Sequence, residues 1–234
     1  MKKLILFAGC ALASHAYADS REFKSQGLSR VVIENHIGDI KINTVDSPKS
    51  TVTITKNTSP EACKVNAERS GDKLDVKVKR QGSTNCVVDL EVQVPKMVNL
   101  DIKNGNGNVH TKGTEGKLDF KVGNGSLVAD GKFNEIDGKA GSGNIEIKGA
   151  TGSSQVGTGS GNISVTYLSL PEKGQAELKN GSGNSTLLLP KGSKFRADIM
   201  AMAGKMENEF GTDTKSKFSV KAMSGSGDLQ VKSY

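Results

Sequence analysis

The sequence predicts an all-β fold, a β-solenoid with coils of about 18–23 residues. Three observations predict it. A Gly-x-Gly phrase followed by Asn, Asp or Ser returns along the chain, with its second glycine at Gly107, Gly125, Gly143, Gly161, Gly183 and Gly227. Apolar residues alternate on both sides of each phrase at fixed offsets. The spacing is 18 residues from Gly107 to Gly161, then 22, 21 and 23 through Gly183, Gly204 and Gly227. Constant register with variable length places insertions on one side of a coil, as at Pro171-Glu-Lys-Gly174 and Pro190-Lys-Gly192.

With the second glycine as position zero, inward residues are expected at −7, −5, +2 and +4, because a strand alternates its faces. Around Gly125 these are Leu118, Phe120, Leu127 and Ala129. Degenerate phrases at Gly38 and Gly204 follow the same template. Over these eight glycines 27 of 32 slots are apolar, against about 11 expected from a chain that is 35% apolar. A lone coil cannot bury its own face, so each inward aliphatic gains its ~1.5–3 kcal/mol only from the coils above and below.

The elements follow in order. Residues 1–18 read as a signal peptide: Lys2 and Lys3, an apolar run from Leu4 to Ala13, and cleavage after Ala18 in Ala16-Tyr17-Ala18. Cleavage leaves 216 residues with a net charge of +5 in place of +7. A competing reading lipidates Cys10 in Ala8-Gly9-Cys10, and leaves only Leu4 to Phe7 as apolar core. Residues 19–103 hold less regular N-terminal coils, with strands expected at Val52/Ile54, Leu74/Val76/Val78 and Val88/Leu90/Val92/Val94. Residues 104–234 hold the regular coils of the same solenoid. Ser20 to Leu28 is expected to fold over the first coil, and Lys232 to discourage pairing at the last. Cys63 and Cys86, both in the exported part, are expected to form one disulfide.

The turns rest on glycine, which reaches positive φ without steric cost. The residue after each phrase is often Asn, and coils stack about 4.8 Å apart. Asn108, Asn144, Asn162 and Asn184 are therefore expected to form an amide ladder near the core.

Chemistry is sparse. The glycine phrases are neither a phosphate loop nor a dinucleotide fingerprint, because no G-x-x-x-x-G-K-[ST] occurs and no G-x-G-x-x-G opens a helix. His15 leaves with the signal, which leaves His36 and His110 as outward coil residues. No H-E-x-x-H or C-x-x-C supplies a zinc site, and the calcium nonapeptide is missing. Asp119, Asp137 and Glu146 read as surface scatter, with no ladder of acids for acid–base work. No enzyme and no cofactor is expected. Basic and acidic residues alternate, as in Lys117-Leu-Asp119-Phe-Lys121, so no nucleic-acid footprint is present. No later segment is apolar enough to form a membrane-spanning helix. Seven Phe, three Tyr and no Trp do not make the aromatic girdles of an outer-membrane barrel.

The opening VVIENHIGDIKI (Val31 to Ile42), the mid-chain VQVPKMVNLDIKNGNGNV (Val92 to Val109) and the Gly-Ser-Gly-Asn-Ile series carry a resemblance. They look like a bacterial family of exported β-strand-repeat proteins that bear an adhesin label and are related to autotransporter-adhesin-type head domains. The likeness spans about Val31 to Val231. It implies a right-handed, single-stranded β-helix at the cell envelope with no established enzymatic activity, and transfers no catalytic or ligand residues. The translocating barrel of autotransporters is missing from this chain. The function expected is adhesin-like interaction of an exported protein, periplasmic or at the cell surface, with a cell-surface glycan or an envelope protein. The alternatives are a β-helical carbohydrate-active enzyme and a structural periplasmic accessory without a ligand.

Overall fold

A computed structural model describes residues 19–82 and 86–234. The expected signal peptide, its expected cleavage after Ala18 and the competing lipidation of Cys10 all fall outside the described residues. The described chain is all β and contains no helix. In chain order the strands are β1 (Asp19–Lys24), β2 (Arg30–Ile37), β3 (Ile40–Thr44), β4 (Lys49–Asn57), β5 (Cys63–Ser70) and β6 (Lys73–Arg80). Next come β7 (Val88–Val94), β8 (Asn99–Asn106), β9 (Val109–Asn124), β10 (Leu127–Ser142), β11 (Ile145–Ser160) and β12 (Ile163–Tyr167). The last are β13 (Lys173–Ser182), β14 (Ser185–Leu189), β15 (Arg196–Ala203), β16 (Met206–Asn208), β17 (Lys217–Ser226) and β18 (Leu229–Ser233). All belong to one 18-stranded sheet that winds on itself as a solenoid.

Each coil has two legs. The first leg precedes the Gly-x-Gly corner and the second follows it. Parallel pairing at 18-residue offsets stacks the legs, as in Leu100↔Leu118 and Leu118↔Ile136 on the first, and Val109↔Leu127 and Leu127↔Ile145 on the second. The core lies between the legs. At seven of the eight glycines all four template positions are buried, from Val31, Ile33, Ile40 and Ile42 to Val220, Ala222, Leu229 and Val231. The corner opposite the glycines is filled by Phe133, Tyr167, Leu189, Phe195 and Phe218, with Tyr167 meeting Phe218 edge-on at 5.9 Å. The buried Tyr167 hydroxyl is 2.7 Å from Ser154 Oγ, which satisfies both polar groups.

The two glycines of a corner serve different ends. Gly125 sits at φ +141°, and a Cβ there would meet the Gly107 carbonyl oxygen at 2.1 Å. Gly123 has no positive φ, but its Cβ would lie 2.2 Å from the Gly105 oxygen. Only the second glycine needs the left-handed backbone; the first is set by the close approach of the neighbouring coil.

The stack departs from chain order at both ends. The rung of β15 and β16 is outermost, and β17 and β18 insert between it and β13 and β14. At the other end β6 and β7 cover β2 and β3 in parallel register. The sheet then continues in antiparallel strands, β5 beside β6 on one leg and β4 then β1 beside β7 on the other. Of the segment Ser20 to Leu28 expected to fold over the first coil, the β1 part instead extends an edge beside β4, while Leu28 is buried in the core and Phe23 packs against it. Lys232 lies in an inner rung, and its amine reaches Glu207 at 3.2 Å on β16 instead of guarding an edge. At the outermost rung Ala197, Ile199 and Asn208 stay half-buried and Met206 exposed, because no coil of the described residues lies beyond them. Cys63, at the start of β5, is bonded to Cys86, just before β7, across 23 residues.

Candidate functional site

The outer face of the first leg carries three parallel columns, one residue per coil, running along the solenoid axis. Strand pairing aligns Asp101, Asp119, Asp137, Gln155 and Glu177 at position −6. It aligns Lys103, Lys121, Lys139, Gly157 and Lys179 at −4. At −2 stand the first glycines of the corners, Gly105, Gly123, Gly141, Gly159, Gly181 and Gly225. Neighbouring coils are about 4.8 Å apart, so each column repeats its chemistry at that interval.

The columns shape an open groove. A cavity of 720 Å³ lies over the acidic and lysine columns, and one of 570 Å³ over the lysines and the glycine floor. Because glycine has no side chain, the floor is backbone, and the lysine stems form one wall. Asn106, Asn124, Ser142, Ser160, Ser182 and Ser226 stand on the other side at position −1, with Asn124 Nδ2 donating to Asn106 Oδ1 at 2.8 Å.

Charge is balanced at the ends of the columns and open in the middle. Arg30 holds Asp101 at 2.9 Å, Lys103 meets Glu34 at 3.1 Å, and Lys179 meets Glu177 at 2.6 Å. The Glu34 hydrogen bond and charge hold the Lys103 pKa above the usual lysine value. Asp119, Asp137, Lys121 and Lys139 enter none of the ion pairs found among the described residues. Partial burial raises the Asp119 pKa above the ordinary carboxylate value, and the neighbouring charges of Asp101, Asp137 and Glu135 raise it further.

Asp119 and Asp137 are thus register partners, so the reading of these acids as scattered is corrected for this pair. Glu146 sits apart on the second leg, where it pairs in register with Val128 and Ser164. The spacing from each corner glycine carries this signal: Asp101, Asp119 and Asp137 share one outward offset, whereas the apolar pattern marks only the inward ones. No three His, Cys, Asp or Glu side chains among the described residues are grouped to hold a metal ion. His36 and His110 are exposed on opposite legs and are not brought together.

The residues after the corners form a continuous chain of contacts, on the outside of the solenoid. Asn108 Oδ1 accepts from Ser126 N at 3.0 Å, Asn144 Oδ1 from Asn162 N at 2.8 Å, and Asn162 Oδ1 from Asn184 N at 2.9 Å. Asn184 Oδ1 accepts from Asp228 N, and Asp228 Oδ1 from Lys205 N, both at 2.9 Å. These contacts join side-chain oxygen to the backbone N–H of the next coil, not amide to amide, and Asn108, Asn144, Asn162 and Asn184 are exposed. Buried amides occur at −3 instead. Asn104 Nδ2 donates to the oxygens of Gly38 and Gly107 at 2.9 and 3.1 Å, and Asn180 Nδ2 to Gly161 O at 2.9 Å.

No curated protein matches the chain. A protein from Bacteroides fragilis NCTC 9343, provisionally named an adhesin, is 12% identical, with 93% of this chain and 98% of that one covered and a TM-score of 0.49. One from Clostridium sporogenes ATCC 15579, provisionally named a cell adhesion protein, is 13% identical over 93% and 100% of the two chains, TM-score 0.40. One from Parabacteroides distasonis ATCC 8503, provisionally named a lipid binding protein, is 10% identical over 92% and 96%, TM-score 0.44. The profile of the Toastrack DUF4097 family matches residues 34–233. That span takes in the corner glycines and the three columns, and the chain belongs to the Toastrack DUF4097 family.

Proposed function

We propose that the chain is a non-catalytic, exported, right-handed β-solenoid that binds a chain-like glycan of the cell surface or envelope along the outer face of its first leg. One observation carries the reading: acids, lysines and a bare glycine floor repeat in register over consecutive coils. A ligand whose own polar groups repeat along its length meets the same donors and acceptors at each coil. Weak contacts then add along a line. The unpaired Lys121 and Lys139 favour a ligand with anionic groups, and the carboxylates of Asp119 and Asp137 accept from its hydroxyls. Kinship to autotransporter heads and the signal peptide cleaved after Ala18 belong to the same proposal.

A binding screen of the mature chain against glycans and envelope proteins tests it. Binding to an anionic polysaccharide that Lys121→Ala/Lys139→Ala weakens by about tenfold or more, and that salt weakens too, supports the reading. Binding confined to an envelope protein, indifferent to those lysines, overturns it. A second reading, glycan cleavage, draws on the raised Asp119 pKa beside Asp137, since paired carboxylates divide acid and base roles. Release of sugar from a bound polysaccharide, abolished by Asp137→Asn, would establish it.

A further inference from the structure

The methionines are unevenly placed. Of the five beyond Met1, four lie between residues 200 and 223. All four are exposed, at 47% for Met200, 80% for Met202, 57% for Met206 and 44% for Met223. Such large apolar side chains in water call for an explanation when they gather in one place.

Three of them gather where the lysine and glycine columns end. Met200 and Met223 are register partners on β15 and β17, at the position that lysine holds in Lys103, Lys121, Lys139 and Lys179. Met202 follows on the same face of β15, beyond Gly225 at the end of the glycine floor. The three line a cavity of 320 Å³ with Gly159, Gly181 and Gly225. Met206 does not belong to the set: its sulfur lies 3.2 Å from Ala201 N as acceptor of that N–H. Lys179 borders the cavity, but its charge is met by Glu177 at 2.6 Å.

Thioethers are soft, neutral donors that select monovalent copper over hard divalent ions. The methionine side chain has three rotatable bonds, so three on adjacent strands can turn their sulfurs toward one point. We propose that Met200, Met202 and Met223 form a surface site for one soft monovalent cation, Cu(I), held in trigonal thioether coordination. Glycine beneath leaves room for the ion. The absence of a proton to displace makes the binding insensitive to mild acid, unlike sites built on His or Cys.

The test uses the mature chain with its disulfide intact. Cu(I) is generated anaerobically with ascorbate and partitioned against a chromophoric Cu(I) chelator, and Ag(I) serves as the spectroscopically silent substitute. The expected result is one ion per chain, unchanged from neutral pH to about pH 5. On Ag(I) addition the ¹³C-methyl signals of Met200, Met202 and Met223 shift, and those of Met97 and Met206 stay. Met200→Leu, Met202→Leu and Met223→Leu conserve volume on an exposed face. Each should weaken binding by about tenfold or more, whereas Met97→Leu should not. No stoichiometric binding in competition with the chelator overturns the proposal. So does binding that survives the triple leucine variant, or signal shifts spread equally over all five methionines. None of these outcomes bears on the glycan reading, whose lysine variants leave the thioethers in place.

Discussion

The ring of Phe120 fills the space beside Gly138 in the next coil: a Cβ on Gly138 would meet Phe120 Cε1 at 2.1 Å. The two are register partners, and Gly138 stands at an inward slot that Phe120 fills in its own coil and aliphatics fill in the rest. One coil supplies the volume that its neighbour lacks, so the interior closes without a void. Gly138→Ala should therefore destabilise by overpacking, about 1–3 kcal/mol in denaturant unfolding. Adding Phe120→Leu should recover part of that loss, a non-additivity expected of touching residues. Additive effects would show that the ring and the glycine do not share the space.

The corner glycines set a second expectation. Gly143 sits at φ +136°, and its Cβ would lie 2.1 Å from the Gly125 oxygen. A β-branched side chain faces both a forbidden backbone region and a carbonyl that cannot withdraw, since that carbonyl belongs to the adjacent coil. Gly143→Val should cost about 3 kcal/mol or more. Lys148→Ala should stay within about 0.5 kcal/mol, because its ion pair with Glu146 is exposed. Equal unfolding midpoints for the two variants would contradict the corner assignment.

Rung order predicts the pattern of hydrogen exchange. A Cβ on Gly227 would meet Gly183 O at 2.2 Å, and one on Gly204 would meet Gly227 O at 2.1 Å. The rung nearest the C-terminus is thus internal, and the earlier β15 and β16 form the exposed edge. Amides of β15 and β16 should exchange first, with β17 and β18 protected well beyond them. Faster exchange in β18 than in β15 would restore simple chain order.

The pH dependence of Asp119 has a definite sign. Its pKa in the fold lies above the ordinary 3.8, first through burial and then through Asp101, Asp137 and Glu135. The folded chain therefore holds that proton more firmly than the unfolded one. Stability falls as pH rises from about 3.8 through the raised folded value, and the penalty stays in full above it. Asp119→Asn removes the penalty. The variant should melt higher than the parent at neutral pH, and the gap should close in acid below the ordinary carboxylate value. A gap that widens in acid would reverse the assigned shift.

Much of this was legible because it is local. Alternation places Leu118 and Phe120 on one face whatever lies beyond them, and glycine is the residue for the positive φ of Gly125. Strands at residues 52–54, 74–78 and 88–94 could be read for the same reason. The acidic and lysine columns were also encoded, as equal offsets of Asp101, Asp119 and Asp137 from their corner glycines. They went unread because outward residues carry no hydrophobic signal.

The sequence by itself determined the register: which side chains face inward, where the chain turns, and that the core forms between coils. The tertiary structure alone decided the order of the rungs and the antiparallel strands β1, β4 and β5 at one end. The physical reason is that every coil offers its neighbour nearly the same pair of backbone edges and the same inward stripe. Local pattern makes all such rungs acceptable partners. Which two meet is settled by contacts far apart in the chain, such as Gly183 with Gly227 across 44 residues, which no window of sequence contains.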